Sequence, residues 1–187
     1  MKEVPEQFEF ALVFGLPIGK HDPFALSDAV FGSGYEDAVI GTGNPKLLAV
    51  ELEASGDDSE TVILTAARAI IANLPRGTEL REVRPDLVSL ADVAEKLEVT
   101  RQTLQQREMP PPVAGGMYRI DEIAEVIERA EEPVAGRRRP RFRAALARKW
   151  FLGGKGARTL NAKLALKTLD PRSLRIVEDG EQAQRQA

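Results

Sequence analysis

Apolar and polar residues alternate from Gln7 to Leu16, with Phe8, Phe10, Leu12 and Phe14 on one face, which is the period-two pattern of a half-buried strand. Pro17 to Pro23 reads as a loop leading to a short helix from about Phe24 to Phe31, ended by Gly32 and Gly34. Ala38-Val39-Ile40 and Leu47 to Leu52 read as two strands joined by the turn-rich run Gly41 to Pro45. Asp57, Asp58 and Ser59 supply cap residues for a helix to about Asn73, with Val62, Ala66, Ala69 and Ile70 facing inward. Leu80 to Val83 adds a last strand. The order β-α-β-β-α-β predicts an antiparallel sheet with both helices on one face.

Past residue 86 the period shortens to that of small helices. Val93, Ala94 and Leu97 recur on one face of a helix that Ser89 and Asp92 are placed to start, as cap and first-turn acid. Val99 falls in a turn, Thr100 is a good N-cap for a second helix, and Leu104 anchors that helix on the first. Ala94 is small where two closely crossing helices leave no room for more. Glu98 stands where the chain of a helix-turn-helix often needs a left-handed residue, a conformation costing a non-glycine residue about 1 kcal/mol. Three prolines from Pro110 to Pro112 then exclude a helix. Gly115-Gly116 is a hairpin signal across which Val113 is expected to pair with Met117-Tyr118-Arg119 as a short wing. Asp121 is the expected cap of a helix whose apolar stripe is Ile120, Ile123, Ala124 and Ile127.

Helix, turn, second helix, Pro-rich wing, aromatic-Arg pair and further helix, in that order, resemble the winged helix-turn-helix of the MerR superfamily, especially its small AlpA or excisionase-type domains. The resemblance covers residues 87–130 approximately. It implies that the second helix enters the major groove of DNA. Arg101, Gln102, Gln105 and Gln106 would then face base edges, for which Arg and Gln heads are suited, and Arg107 would be a further DNA-binding residue. Thr100 and nearby backbone N–H groups would grip a phosphate, and Arg119 on the wing would reach a minor groove or a phosphate.

Charge adds a polarity that the total of −3 hides. Residues 1–136 hold 12 Lys and Arg against 25 Asp and Glu, a balance of −13. Residues 137–175 hold 13 Lys and Arg against Asp170 alone, a balance of +12. The basic region opens with Arg137, Arg138, Arg139, Arg141 and Arg143. Phe142, Ala145, Leu146 and Trp150 follow at helical spacing, so a basic amphipathic helix is expected, broken at Gly153 to Gly156. A second helix is expected from about Thr159 to Leu169. Such an arm suits DNA phosphates, the favoured reading beside a reader domain, with RNA, an acidic protein or an anionic membrane surface as alternatives; no membrane partner is expected. Its apolar stripe also fits a place in the protein's own core.

The expected class is α+β: a ferredoxin-like β-α-β-β-α-β domain (1–86), a winged helix-turn-helix (87–132) and a basic helical carboxyl-terminal arm (133–187). With no Cys and one histidine, His21, thiolate zinc sites and multi-His sites within one chain are excluded. Gly32-Ser-Gly34, Gly41-Thr-Gly43 and Gly153-Gly-Lys-Gly156 lack the full spacing of phosphate loops. No catalytic, cofactor-binding or metal site is expected, and neither is an apolar span or secretory leader. The reading is a cytoplasmic, homodimeric regulator of transcription, most simply a repressor, with double-stranded DNA as partner. Two alternatives stand beside it. One is an antitoxin-like protein binding a protein partner through the amino-terminal domain or the arm. The other is an excisionase-like protein that bends DNA.

Overall fold

The computed structural model describes residues 5–132 and 142–177. The protein is mixed α+β, with a four-stranded antiparallel sheet and six α-helices among those residues. Strand β1 (Glu6–Gly15) pairs along its whole length with β3 (Leu47–Gly56), and its second half pairs with β4 (Glu79–Arg84). The short β2 (Val39–Gly41) lies outside β3, giving the order β2-β3-β1-β4. Helices α1 (Pro23–Phe31) and α2 (Ser59–Ile71) follow β1 and β3. Phe8, Phe10, Leu12 and Phe14 form one core with Leu48, Val50, Leu26, Val30, Ile63 and Ile70, so both helices back the face that the alternation of β1 marks.

The region after β4 contains the small elements expected of it. Strand β5 (Leu87–Val88) leads into α3 (Leu90–Lys96), α4 (Arg101–Gln105), β6 (Tyr118–Arg119) and α5 (Ile120–Glu131). Their apolar residues form a second core in which Val93, Leu97, Leu104, Ile120, Ile123 and Ile127 are nearly inaccessible to water. Arg84-Pro85, at the join, is a cis peptide.

Three expectations need correction here. Val113 and Met117 do pair, the Val113 N–H donating to the Met117 carbonyl at 2.9 Å, across Gly115 and Gly116, whose φ values are 52° and 76°. Tyr118 and Arg119, however, pair with Val88 and Leu87 instead of continuing that hairpin. They are drawn there because Tyr118 packs against the second core. Asp121 does not cap α5: Arg119 is the N-cap, without a side-chain bond, and Asp121 binds Arg158 at 2.9 Å. The third correction concerns the basic region. Phe142 is buried but not helical, Ala144–Ala147 is a 3-10 turn, and a single helix α6 runs from Arg148 to Ala165 through all three glycines.

The glycines read as a helix break are contact points. A Cβ on Gly153 would lie 2.1 Å from the Glu9 carbonyl oxygen of β1. On Gly154 it would meet Ile120 of α5 at 2.7 Å, and on Gly156 the Ser59 backbone of α2 at 2.8 Å. Helix α6 thus lies against a strand and two helices at distances only glycine permits, and the packing outweighs the roughly 1 kcal/mol by which each glycine weakens a helix interior. Trp150 and Phe151 enter the second core, Ala157 and Leu160 the first. After α6 the chain turns through Lys167, whose φ is 59°, and a bridge joins Leu169 to Ile176. The second expected helix therefore has no break before it and stops short of Leu169.

Candidate nucleic-acid interface

The pair α3 and α4 is held by local capping bonds. Ser89 and Asp92 form a reciprocal cap: the Asp92 N–H donates to Ser89 Oγ at 3.2 Å, and the Ser89 N–H to Asp92 Oδ2 at 2.8 Å. At the other end Glu98 has φ 54°, the left-handed conformation anticipated at that position. The Glu98 N–H donates to the Glu95 carbonyl and the Val99 N–H to that of Ala94, at 3.0 and 2.9 Å. That pair of bonds satisfies two carbonyls that the end of α3 would otherwise leave free. Thr100 then caps α4, its Oγ1 accepting from the Thr103 N–H at 3.3 Å and lying 3.0 Å from the Thr103 hydroxyl. Its hydroxyl therefore caps its own helix while staying at the surface. Helix α4 has five residues, about one and a half turns.

Leu104 is fully buried and fixes which side of α4 faces out. Arg101, Gln102, Gln105 and Gln106 are exposed together on that side, and no acid interrupts residues 99–107. Arg107 is placed differently: its guanidinium sits over the Phe142 ring, 5.6 Å from the centroid. Arg119 is exposed and pairs with Glu122 at 3.3 Å, and Arg143 is exposed. Arg137, Arg138, Arg139 and Arg141 lie outside the described residues. Around this patch the charge is unfavourable to DNA, since residues 87–132 hold five Lys and Arg against ten Asp and Glu.

The basic helix faces the acidic part of its own chain. Arg148 pairs with Glu6 at 2.6 Å, Lys149 with Glu53 at 2.7 Å and Arg158 with Asp121 at 2.9 Å. Lys163 pairs with Glu60, and Arg172 reaches Glu79 at 3.8 Å. Five cations of the basic region are thus paired with carboxylates of the acidic part, and α6 is no free arm. Lys96, at the end of α3, pairs with Glu9 of β1 and lies 5.9 Å from the centroid of Trp150. It ties α3 to the sheet. Nothing in the local sequence marks Lys96 for this role. For α6 a signal was present: Gly153, Gly156, Ala157 and Leu160 repeat at helical spacing, as a close helix contact requires.

Among the described residues no group of three or more His, Cys, Asp or Glu is placed to hold a metal ion, and no helix is long and apolar enough to cross a membrane. His21 Nε2 lies 2.8 Å from the Pro17 carbonyl oxygen, a loop bond. Comparison with protein-family models, with curated proteins and with solved structures finds no match to the chain.

Proposed function

We propose that the chain is a sequence-specific DNA-binding regulator of transcription, a homodimeric repressor whose winged helix-turn-helix is carried on a ferredoxin-like unit. The observation that carries this reading is α4. Leu104 anchors it, and the outward side presents Arg101, Gln102, Gln105 and Gln106 with no acid among them. These heads suit hydrogen bonding to guanine and adenine edges. The element order after residue 86, the Gly115-Gly116 hairpin and the cap at Ser89 also support a MerR- or AlpA-like unit. The strand order β2-β3-β1-β4 supports the ferredoxin-like assignment. Repression would be by occupancy and needs no chemistry. Two half-sites, one for each protomer, are the natural target of a dimer.

The acidic surroundings of α4 make direct base contacts more important to this reading than general attraction to phosphates. The test is selection of duplexes from a random DNA pool, followed by titration of the enriched sequence. An enriched motif with related half-sites is expected. The double variant Arg101→Ala/Gln105→Ala should fold with an unchanged melting temperature and bind that motif at least tenfold more weakly, since each good base contact is worth about 1–3 kcal/mol. Retained affinity and motif in that variant would overturn the recognition assignment.

A further inference from the structure

One edge of the sheet is sealed and the other is covered only in part. On the closed side the Val83 N–H donates to the Asn161 side-chain oxygen, and the Asn161 amide nitrogen donates to the Val83 carbonyl, both at 2.8 Å. The Leu80 N–H donates to the Pro171 carbonyl at 2.8 Å. Where β4 does not reach, α6 lies on β1, with Gly153 against the Glu9 nitrogen and oxygen. On the other side β2 covers β3 only from Ala49 to Glu51. Before Val39 the chain turns away, the Ala38 N–H donating to the Tyr35 carbonyl at 3.2 Å. Among the described residues no strand pairs with β3 from Leu52 to Gly56 on that side.

A groove of about 610 Å³ lies where β2 would have continued, bounded by residues 34–39 and by β3. Tyr35, Glu36, Asp37, Glu51, Glu53 and Lys96 are among its walls. Lys96 is held by Glu9, and Glu53 by Lys149. Glu36, Asp37 and Glu51 have no cationic partner among the described residues.

We propose that this groove takes an extended, basic segment of a partner protein, added as a further strand along β3 from Leu52 to Gly56. An unpaired strand edge is a template for such addition. The pairing register sets Glu51 and Glu53 on the same sheet face as Glu9, while Leu52 belongs to the core face. A strand laid alongside therefore faces Glu53 on one side of the sheet, with the carboxylates of Glu36, Asp37 and Glu51 lining the same groove, and the partly buried Ala54 and Tyr35 on the other, which favours alternating cationic and apolar residues. The same carboxylates disfavour a second copy of β3, whose glutamates would stand against these, and they repel nucleic acid. The inference does not rest on the DNA-binding reading.

The full chain should be titrated with a fluorescein-labelled decapeptide of alternating Lys and Val, following anisotropy and then amide hydrogen exchange. Saturable binding with new protection of residues 52–56 is expected. The variant Glu36→Gln/Asp37→Asn/Glu51→Gln should bind about tenfold more weakly, the ion pairs of three exposed carboxylates being lost, and an alternating Glu-Val peptide should not bind. Several results would overturn the proposal: no binding, binding without protection at 52–56, or full affinity in the triple variant. Protection of 52–56 that rises with protein concentration alone would assign the edge to a second copy instead.

Discussion

Asp58 shows how much a single exposed side chain can contribute at the start of a helix. Its Oδ1 accepts from the Thr61 N–H at 2.9 Å, ahead of α2. Hydrogen bonding by Thr61, side chain first and backbone second, holds the Asp58 carboxyl below its ordinary pKa. A carboxyl whose pKa is depressed in the folded state stabilises the protein above the unfolded value, and that contribution disappears as pH falls through the folded value. Melting temperatures of the parent and of Asp58→Asn should therefore differ at pH 6, with the parent higher. The gap should close as pH falls below the usual carboxylate range. A gap that stays constant with pH would separate the cap from its charge. Glu98 is the opposite case: it occupies a left-handed position without glycine's freedom, and the buried Leu97 and Ala94 beside it hold the turn in place.

At the scale of elements, α6 is the part of the fold whose role departs most from its composition. Replacing Gly153 by Ala would put a methyl 2.1 Å from the Glu9 carbonyl oxygen, a clash with backbone that no side-chain rotation relieves. Overpacking of this kind costs about 1–3 kcal/mol. Urea unfolding of Gly153→Ala should show a lower midpoint, whereas substitution at Gly43, where nothing lies within 4 Å, should leave it nearly unchanged. Much of the rest was legible from residues alone. The alternation in β1, the caps at Asp58, Ser89 and Thr100, and the apolar stripe of α5 each correspond to an observed element, because each follows from neighbours a few residues away. The same holds for the outward side of α4, which Leu104 fixes. The fate of Gly153, the pairing of Tyr118 with Val88 and the occupation of Arg107 by Phe142 depend on residues distant in the chain. A glycine that ends a helix and one that lets a helix touch a strand look alike until the strand is in place.

For the whole molecule, the two cores share a member. Helix α6 supplies Trp150 and Phe151 to one and Ala157 and Leu160 to the other. Its cations meet carboxylates on β1, β3, α2 and α5. A chain ending at residue 132 would expose both apolar faces and leave an acidic body without its counter-charge. It should lose cooperative thermal unfolding and bind a dye for exposed apolar surface, as seen by calorimetry and fluorescence. Cooperative unfolding of that fragment near the parent's temperature would mean that α6 is dispensable. For the proposed regulator this also means that removing the basic region tests folding before it tests contact with DNA.

The Asn161 side chain that finishes the β4 edge is 78 residues from Val83, and Arg148 is 142 residues from its partner Glu6. On the ribosome the sheet is therefore made long before the residues that seal it. The nascent chain carries an unsealed β4, and an unsealed stretch of β1, until α6 emerges. Contacts this remote in sequence slow folding, and open strand edges in an unfinished chain favour association between chains. Heterologous yield should therefore respond to translation speed and chaperone supply more than the stability of the finished protein would suggest.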